Sequence, residues 1–213
     1  MCLSVSRWRS GVANYQMIDQ LKIWDEQLLL FLNQFHTPWL DPVMFLITKT
    51  EFWIPLFIFL IYLIFNNYKK EGWLILAGVV ITVLLADQIT STFMKPFFHR
   101  LRPSNEPGLA GVIHLVNDYH GGLYGFASSH AANTTGVAFI VFLVLHNLYR
   151  WSWMVFIWAF IMSYTRIYLG VHYPGDIFVG ALIGLLSGYA GFRFYLWLKS
   201  ILKKKSPDLN PGT

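Results

Sequence analysis

The chain has 213 residues, 55% of them hydrophobic and only 13% charged, with a mean hydropathy of +0.48. Soluble domains carry about 25% charged residues, so these values exclude an ordinary soluble enzyme as well as a disordered or collagen-like chain, and the single Cys excludes a disulfide framework and a Cys-based zinc site. The formal net charge of +5 is not gathered into a basic domain, so no nucleic-acid partner is expected. Aromatic residues reach 18%, the level expected where side chains meet lipid and its interfaces.

Residues 1–16 have neither the apolar core of a signal peptide nor a helical pattern, and are read as a disordered tail or as the product of an early start codon, with Met17 the natural start. An amphipathic segment follows from Ile18 to Phe35. A broken apolar stretch, roughly Leu28 to Thr48, is interrupted at His36-Thr37-Pro38 and again at Asp41-Pro42, and reads as a kinked crossing or one that dips in and out. Five clear apolar runs come next: Phe52–Phe65, Trp73–Phe93, Ala131–His146, Trp151–Tyr164 and Ile177–Leu198. The expected fold is therefore all-α, a polytopic membrane bundle of about six helices. Residues 17–200 form a single membrane-embedded domain, and 201–213 a basic cytoplasmic tail.

Loop charge sets the orientation. One side carries Lys69, Lys70, Arg150, Arg193, Lys199, Lys203, Lys204 and Lys205; the other carries Lys49, Lys95, Arg100, Arg102 and Arg166. The first set marks the cytoplasm. The loops 95–129 and 165–176 then face outward, to the periplasm or exterior of a bacterial inner membrane.

Three clusters meet on that outer side: Lys95 to Pro103, Ala127-Ser128-Ser129-His130, and Thr165 to Asp176. Ionisable residues at a membrane boundary are costly and point to function. Lys95, Arg102 and Arg166 supply fixed positive charge suited to a phosphate dianion. Ser128 and Ser129 stand at a helix start, where hydroxyls and backbone N–H groups receive anions. His130 follows directly. Asp176, four residues after His172, can hold one imidazole nitrogen and leave the other as a nucleophile. The set reads as phosphoryl transfer through a phosphohistidine, with cations in place of a metal. Taken singly, each element has a plainer reading as interface anchor, helix cap or packed histidine; it is their order, spacing and common side that carry the chemistry.

Lys95-x6-Arg102-Pro103, Ala127-Ser128-Ser129-His130 and Thr165-Arg166-x5-His172-x3-Asp176 resemble the signature of the type 2 phosphatidic acid phosphatase family, relatives of class A acid phosphatases and vanadium haloperoxidases. The resemblance covers roughly Trp73 to Leu198. It implies His172 as nucleophile, Asp176 as its orienting partner and His130 as general acid and then base. Phosphate binding would fall to Lys95, Arg102, Ser128, Ser129 and Arg166, with no metal and no cofactor. The chain departs from the family pattern at Ala127 (for Pro), Ser129 (for Gly) and Thr165 (for Ser). Every charged or imidazole position is kept, so an active enzyme is expected.

The expected function is a membrane lipid phosphatase acting from the outer leaflet, with undecaprenyl diphosphate as the leading substrate and phosphatidylglycerol phosphate, phosphatidate and lipid A phosphate as competitors. A lipid phosphotransferase using the same phosphohistidine is the alternative enzyme. A transporter or scaffold with an anion site is the non-enzymatic alternative, disfavoured because transport calls for polar residues near the midplane of several helices, which only Asp87 approaches, while the polar groups gather at one end. Asp87, two turns before Lys95, reads equally as a partner of Lys95 or as a packing carboxylate. His99 and Arg100 read as solvated loop residues, and Tyr168 and Tyr173 as interface aromatics. A metal site from His114, Asp118 and His120 in the loop 104–126 has nothing further to support it.

Overall fold

The computed structural model describes residues 3–205, with side chains given for 17 and 19–204. Eight α-helices follow in order: α1 (Leu3–Asn33), α2 (Leu40–Ile47), α3 (Ile54–Tyr68), α4 (Gly72–Asp87), α5 (Lys95–Phe98), α6 (Ser129–Leu145), α7 (Val155–Tyr168) and α8 (Pro174–Lys205). A π-helical stretch, Gln88–Met94, joins α4 to α5 in one continuous rod. The chain is a polytopic membrane bundle. The segments Thr50–Phe98 and Pro174–Lys204 contain windows with hydropathy 2.0 and 1.6, apolar enough for crossings. The first holds two crossings, because Lys69 at φ 50° reverses the chain between α3 and α4.

The helices form where the apolar runs predict them, and their close packing follows from small residues. A Cβ on Gly188 would stand 2.7 Å from the Gly136 carbonyl oxygen, and one on Gly78 would stand 2.7 Å from that of Gly191. Bare backbone at these places lets α8 press against α6 and α4. The core between α3, α4, α6 and α7 is built from Leu60, Ile64, Ile75, Val141, Leu145 and Trp158. At the end carrying Lys69 and Arg150, Tyr68 Oη donates to the Val144 carbonyl (2.7 Å), and Lys199 pairs with Glu71 (2.7 Å). Trp151 and Trp153 are partly exposed there.

The opposite end gathers the C-terminal ends of α5 and α7 and the N-terminal ends of α6 and α8. The broken N-terminal element lies against it. The chain breaks after Asn33 and resumes at Leu40, as His36-Thr37-Pro38 foretells. Asp41-Pro42 interrupts nothing: it sits in the first turn of α2, where a proline needs no donor. The second half of α1 docks on this end of the bundle. Its Asp25 bonds the α8 N-terminus, and its Asn33 donates to the carbonyls of Ile167 and Tyr168 at the end of α7. Both anchors belong to one end of the bundle, so this stretch runs over it. Leu21, Trp24, Leu28 and Phe31 form a stripe at helical spacing on its exposed side. The backbone of α1 is helical from Leu3, through the segment read from sequence as a tail. Residues 206–213 of the basic tail lie outside the described residues.

Candidate active site

The three sequence clusters converge at this end. The turn between α7 and α8 bonds back on itself: the His172 and Val171 N–H groups donate to the Arg166 carbonyl, and Gly170 sits at φ 70°, where a Cβ would stand 2.7 Å from Leu115 Cδ2 and 2.9 Å from the His114 carbonyl oxygen. That fold buries His172 fully and sets it over the first turn of α8. Its Nδ1 lies 3.3 Å from Asp176 Oδ2, which also accepts from the Tyr173 N–H (3.1 Å).

On the other side of the ring, Arg102 Nη1 lies 3.2 Å from His172 Nε2. A guanidinium only donates, so Nε2 carries the lone pair and the ring proton is assigned to Nδ1, facing Asp176. This is the tautomer a nucleophilic Nε2 requires. Burial, then the charges of Arg102 and Arg166, push the His172 imidazolium well below the ordinary histidine range, which keeps the ring neutral.

Arg102 is itself fixed, its Nε donating to the Tyr124 carbonyl (3.2 Å). Gly125 lets this loop close on the site: a Cβ there would stand 3.1 Å from Asp176 Oδ2 and 3.5 Å from His172 Nδ1. Arg166, at the end of α7, is buried. Its Nη1 donates to Thr48 Oγ1 (2.9 Å), its guanidinium faces the Tyr119 ring at 5.7 Å, and its Nε has no partner among the described residues.

Lys95 closes the ring of cations. Its Nζ donates to Ser129 Oγ at 2.7 Å, and that hydroxyl lies 2.9 Å from both Thr90 Oγ1 and Ser91 Oγ. Ser91 donates to Asp87 Oδ1 (3.0 Å) and lies 3.4 Å from Lys95 Nζ. Asp87 thus reaches Lys95 through Ser91. The π-helical turn carries Thr90 and Ser91, an irregularity often met beside functional sites. Ser129, the residue that departs from the family pattern, is the acceptor that fixes Lys95.

Ser128 is placed differently from its expected phosphate-binding role. It is the fully buried N-cap of α6. Its Oγ accepts from the Ala131 N–H (3.4 Å), and its own N–H donates to the Asp176 carbonyl (3.0 Å). The first-turn N–H groups of Ser129 and His130 have no intrahelical acceptor. His130 opens α6 within electrostatic reach of Arg166, His172, Arg102 and Lys95.

Lys95, Arg102 and Arg166 therefore crowd one site, and none of them has a carboxylate within 4 Å among the described residues. Asp176 does not neutralise them. Its second oxygen, Oδ1, pairs with Arg100 Nη1 at 2.9 Å. Arg100, read from sequence as a solvated loop residue, instead bridges Asp176 and Asp25 and lies 3.9 Å from the centre of the Tyr173 ring. Tyr173 and Tyr168 are buried, not interface aromatics. Thr48, Tyr119, Arg100, Asp25, Thr90 and Ser91 are the site neighbours the sequence reading missed. Of these, only Arg100 carried a signal, as a third cation between Lys95 and Arg102.

His114, Asp118 and His120 do not gather. His114 Nε2 pairs with Asp41 (3.0 Å) and stacks on His36, while His120 pairs with Asp118 and with the Ser104 carbonyl. Among the described residues no three His, Cys, Asp or Glu side chains are arranged to hold a metal.

Residues 72–200 match the family model described as PAP2 superfamily. The chain is 41% identical over 195 residues to a lipid A 4′-phosphatase of Bacteroides thetaiotaomicron, covering 90% of this chain and 84% of that one. It is 35% identical to a lipid A 4′-phosphatase of Porphyromonas gingivalis, covering 83% of this chain and 75% of that one. The crystal structure of a transmembrane PAP2 type phosphatidylglycerolphosphate phosphatase from Bacillus subtilis superposes with a TM-score of 0.60 at 22% identity, over 98% of this chain and 100% of that one. The converging motifs, the helical bundle and these matches agree: the chain belongs to the PAP2 superfamily.

Proposed function

We propose that this membrane lipid phosphatase removes the 4′-phosphate of lipid A, a phosphomonoester, through a phosphohistidine formed on His172. The observation that carries the chemistry is the pairing of a buried His172–Asp176 dyad with three cations that lack carboxylate partners. A phosphate dianion supplies the missing charge. Lys95, Arg102 and Arg166 hold its oxygens with the Ser129 and His130 N–H groups, and Ser128 holds the helix start in place.

In the first step His172 Nε2 forms a bond to phosphorus while the bond from phosphorus to the sugar oxygen breaks. His130 gives its proton to that oxygen. Water then attacks the phosphohistidine, His130 takes the water proton, and phosphate leaves with His172 restored. Arg102, 3.2 Å from Nε2, is placed to stabilise the charge developing on the phosphoryl oxygens.

Substrate choice rests on the relatives. Two relatives, 41% and 35% identical over 90% and 83% of this chain, are named for lipid A, which supports that lipid over undecaprenyl diphosphate. Lys69, Lys70, Arg150, Lys199, Lys203 and Lys204 stand at the end away from the site, supporting a site that faces the periplasm from the inner membrane.

The test is phosphate release by purified protein in detergent with excess EDTA. Lipid A is compared with undecaprenyl diphosphate, phosphatidylglycerol phosphate and phosphatidate, with His172→Ala as control. EDTA-resistant release fastest from lipid A, and lost in His172→Ala, is the expected result. A faster rate on another lipid overturns the substrate. Transfer to an acceptor lipid without free phosphate makes the enzyme a phosphotransferase. Equal rates in wild type and His172→Ala overturn the mechanism.

A further inference from the structure

Asp176 has two oxygens with separate duties. Oδ2 faces His172 and the Tyr173 N–H, and Oδ1 accepts from Arg100 Nη1. Arg100 lies between Lys95 and Arg102 in sequence, yet it points away from the phosphate cations. Its other nitrogen, Nη2, donates to Asp25 Oδ2 at 2.7 Å, and its flat guanidinium rests 3.9 Å from the Tyr173 ring centre. Asp25 comes from α1, 75 positions before Arg100. Its remaining oxygen, Oδ1, accepts from the Gly175 N–H at 2.7 Å. Gly175 has no room for a side chain there, because a Cβ would stand 2.7 Å from Asp25 Oδ2.

We propose that Asp25 and Arg100 form a brace that positions Asp176, and through it His172, so that α1 is part of the catalytic architecture. This rests on the phosphohistidine reading. Each member has one geometry. A guanidinium presents its donors in a rigid fork, so Arg100 can hold Asp25 with one nitrogen only while the other is aimed at Asp176. The ring of Tyr173 fixes the plane of that fork. Asp25 grips the backbone one residue before Asp176, so the brace and the carboxylate it steadies share the first turn of α8. Asn33 and the fully buried Leu29 dock the same helix further along. Nothing in the brace touches the phosphate cradle, so Arg100 and Asp25 are positioning residues. Their loss alters how Asp176 holds the His172 ring, not how tightly the phosphate binds.

The experiment uses the full chain in detergent and lipid A phosphate release, recording kcat, KM and the pH profile of kcat/KM for wild type, Arg100→Gln, Arg100→Lys, Asp25→Asn and His172→Ala. Asp19→Asn, an exposed α1 residue paired among the described residues only with Lys22, is the neutral control. Arg100→Gln lowers kcat by about tenfold to a hundredfold, the scale of losing a partner that orients a catalytic ligand. Its KM stays within about twofold of wild type. Its acid limb moves to higher pH, because a carboxylate without the adjacent cation protonates more readily. Arg100→Lys keeps the charge, so its acid limb stays in place while part of the kcat loss remains. Asp25→Asn loses kcat in the same direction and by less.

A merely structural role predicts a different pattern: kcat scaled by the folded fraction, with an unmoved pH profile and a parallel fall in Tm. That pattern, or an Arg100→Gln enzyme within twofold of wild type at every pH, overturns the brace and leaves the phosphatase reading intact. Absence of any difference between wild type and His172→Ala overturns both.

Discussion

Thr48→Val tests whether the N-terminal element serves the site or only covers it. Thr48 ends α2, 118 positions from Arg166, and is nearly buried. Its hydroxyl accepts from Arg166 Nη1 at 2.9 Å and lies 2.9 Å from Thr165 Oγ1, which itself donates to the Met162 carbonyl. Valine keeps the shape and removes both bonds. Arg166 already has an unpartnered Nε, so the variant leaves two of its donor nitrogens without protein acceptors. A hydrogen bond to a charged group contributes about 1.5–3 kcal/mol. At about 1.36 kcal/mol per decade, its full loss from the transition state lowers kcat/KM by about tenfold to a hundredfold. Stability falls as well, by about 1–3 kcal/mol, because removing one partner leaves a buried donor of Arg166 unsatisfied, so rates are compared per folded enzyme. The assay is initial-rate phosphate release from lipid A, alongside Tm in the same detergent. A Thr48→Val enzyme within twofold of wild type in kcat/KM refutes the argument that α2 fixes Arg166.

Three further outcomes follow from the same geometry. Gly125→Ala inserts a methyl 3.1 Å from Asp176 Oδ2 and 3.2 Å from Arg102 Cγ, so the dyad and Arg102 must part by a few tenths of an ångström; kcat should fall about tenfold with the chain still folded, as checked by rate and Tm together. Ser129→Gly restores the family residue but removes the acceptor 2.7 Å from Lys95 Nζ, so KM should rise about fivefold with kcat little changed, read from saturation curves on lipid A. His172 is held neutral in the folded chain, and its pKa returns to about 6.5 on unfolding. The unfolded state therefore binds the extra proton: this contribution is present above about pH 6.5 and lost as pH falls below it, so Tm should drop between pH 7.5 and 5.5, and His172→Gln should drop less.

The helices and the gathering of the three motifs were legible because each depends on local pattern. Apolar runs mark α3, α4, α6, α7 and α8, and His172 and Asp176 lie one helical turn apart in a single segment. What stayed hidden depends on tertiary partners. Arg100 looks like any loop cation until α1 brings Asp25 against it. Thr48 carries no chemical signal beyond a hydroxyl in an apolar stretch. Ser128 and Ser129 are adjacent and chemically alike, yet one is spent capping α6 and the other fixes Lys95, because the helix start turns them to opposite neighbours. The path of residues 28–48 was ambiguous for the same reason. Its breaks are plain, but only the bonds of Asp25 and Asn33 show which end of the bundle this stretch docks on.

The charge distribution explains why the site is built this way. Cations taken out of water are costly unless an anion accompanies them. A protein seeking stability alone would place carboxylates beside Lys95, Arg102 and Arg166. Here the nearby carboxylate, Asp176, is directed elsewhere: one oxygen to the nucleophile, the other to Arg100, whose charge is shared with Asp25. Both oxygens of Asp176 are thus taken up by His172, the Tyr173 N–H and Arg100. The arrangement separates two tasks that opposite charges would otherwise merge, binding a dianion and orienting a neutral imidazole beside it. It also accounts for a fourth cation so near three others: Arg100 carries the counter-charge of Asp176 and Asp25, while under the proposed mechanism Lys95, Arg102 and Arg166 would carry that of the phosphate.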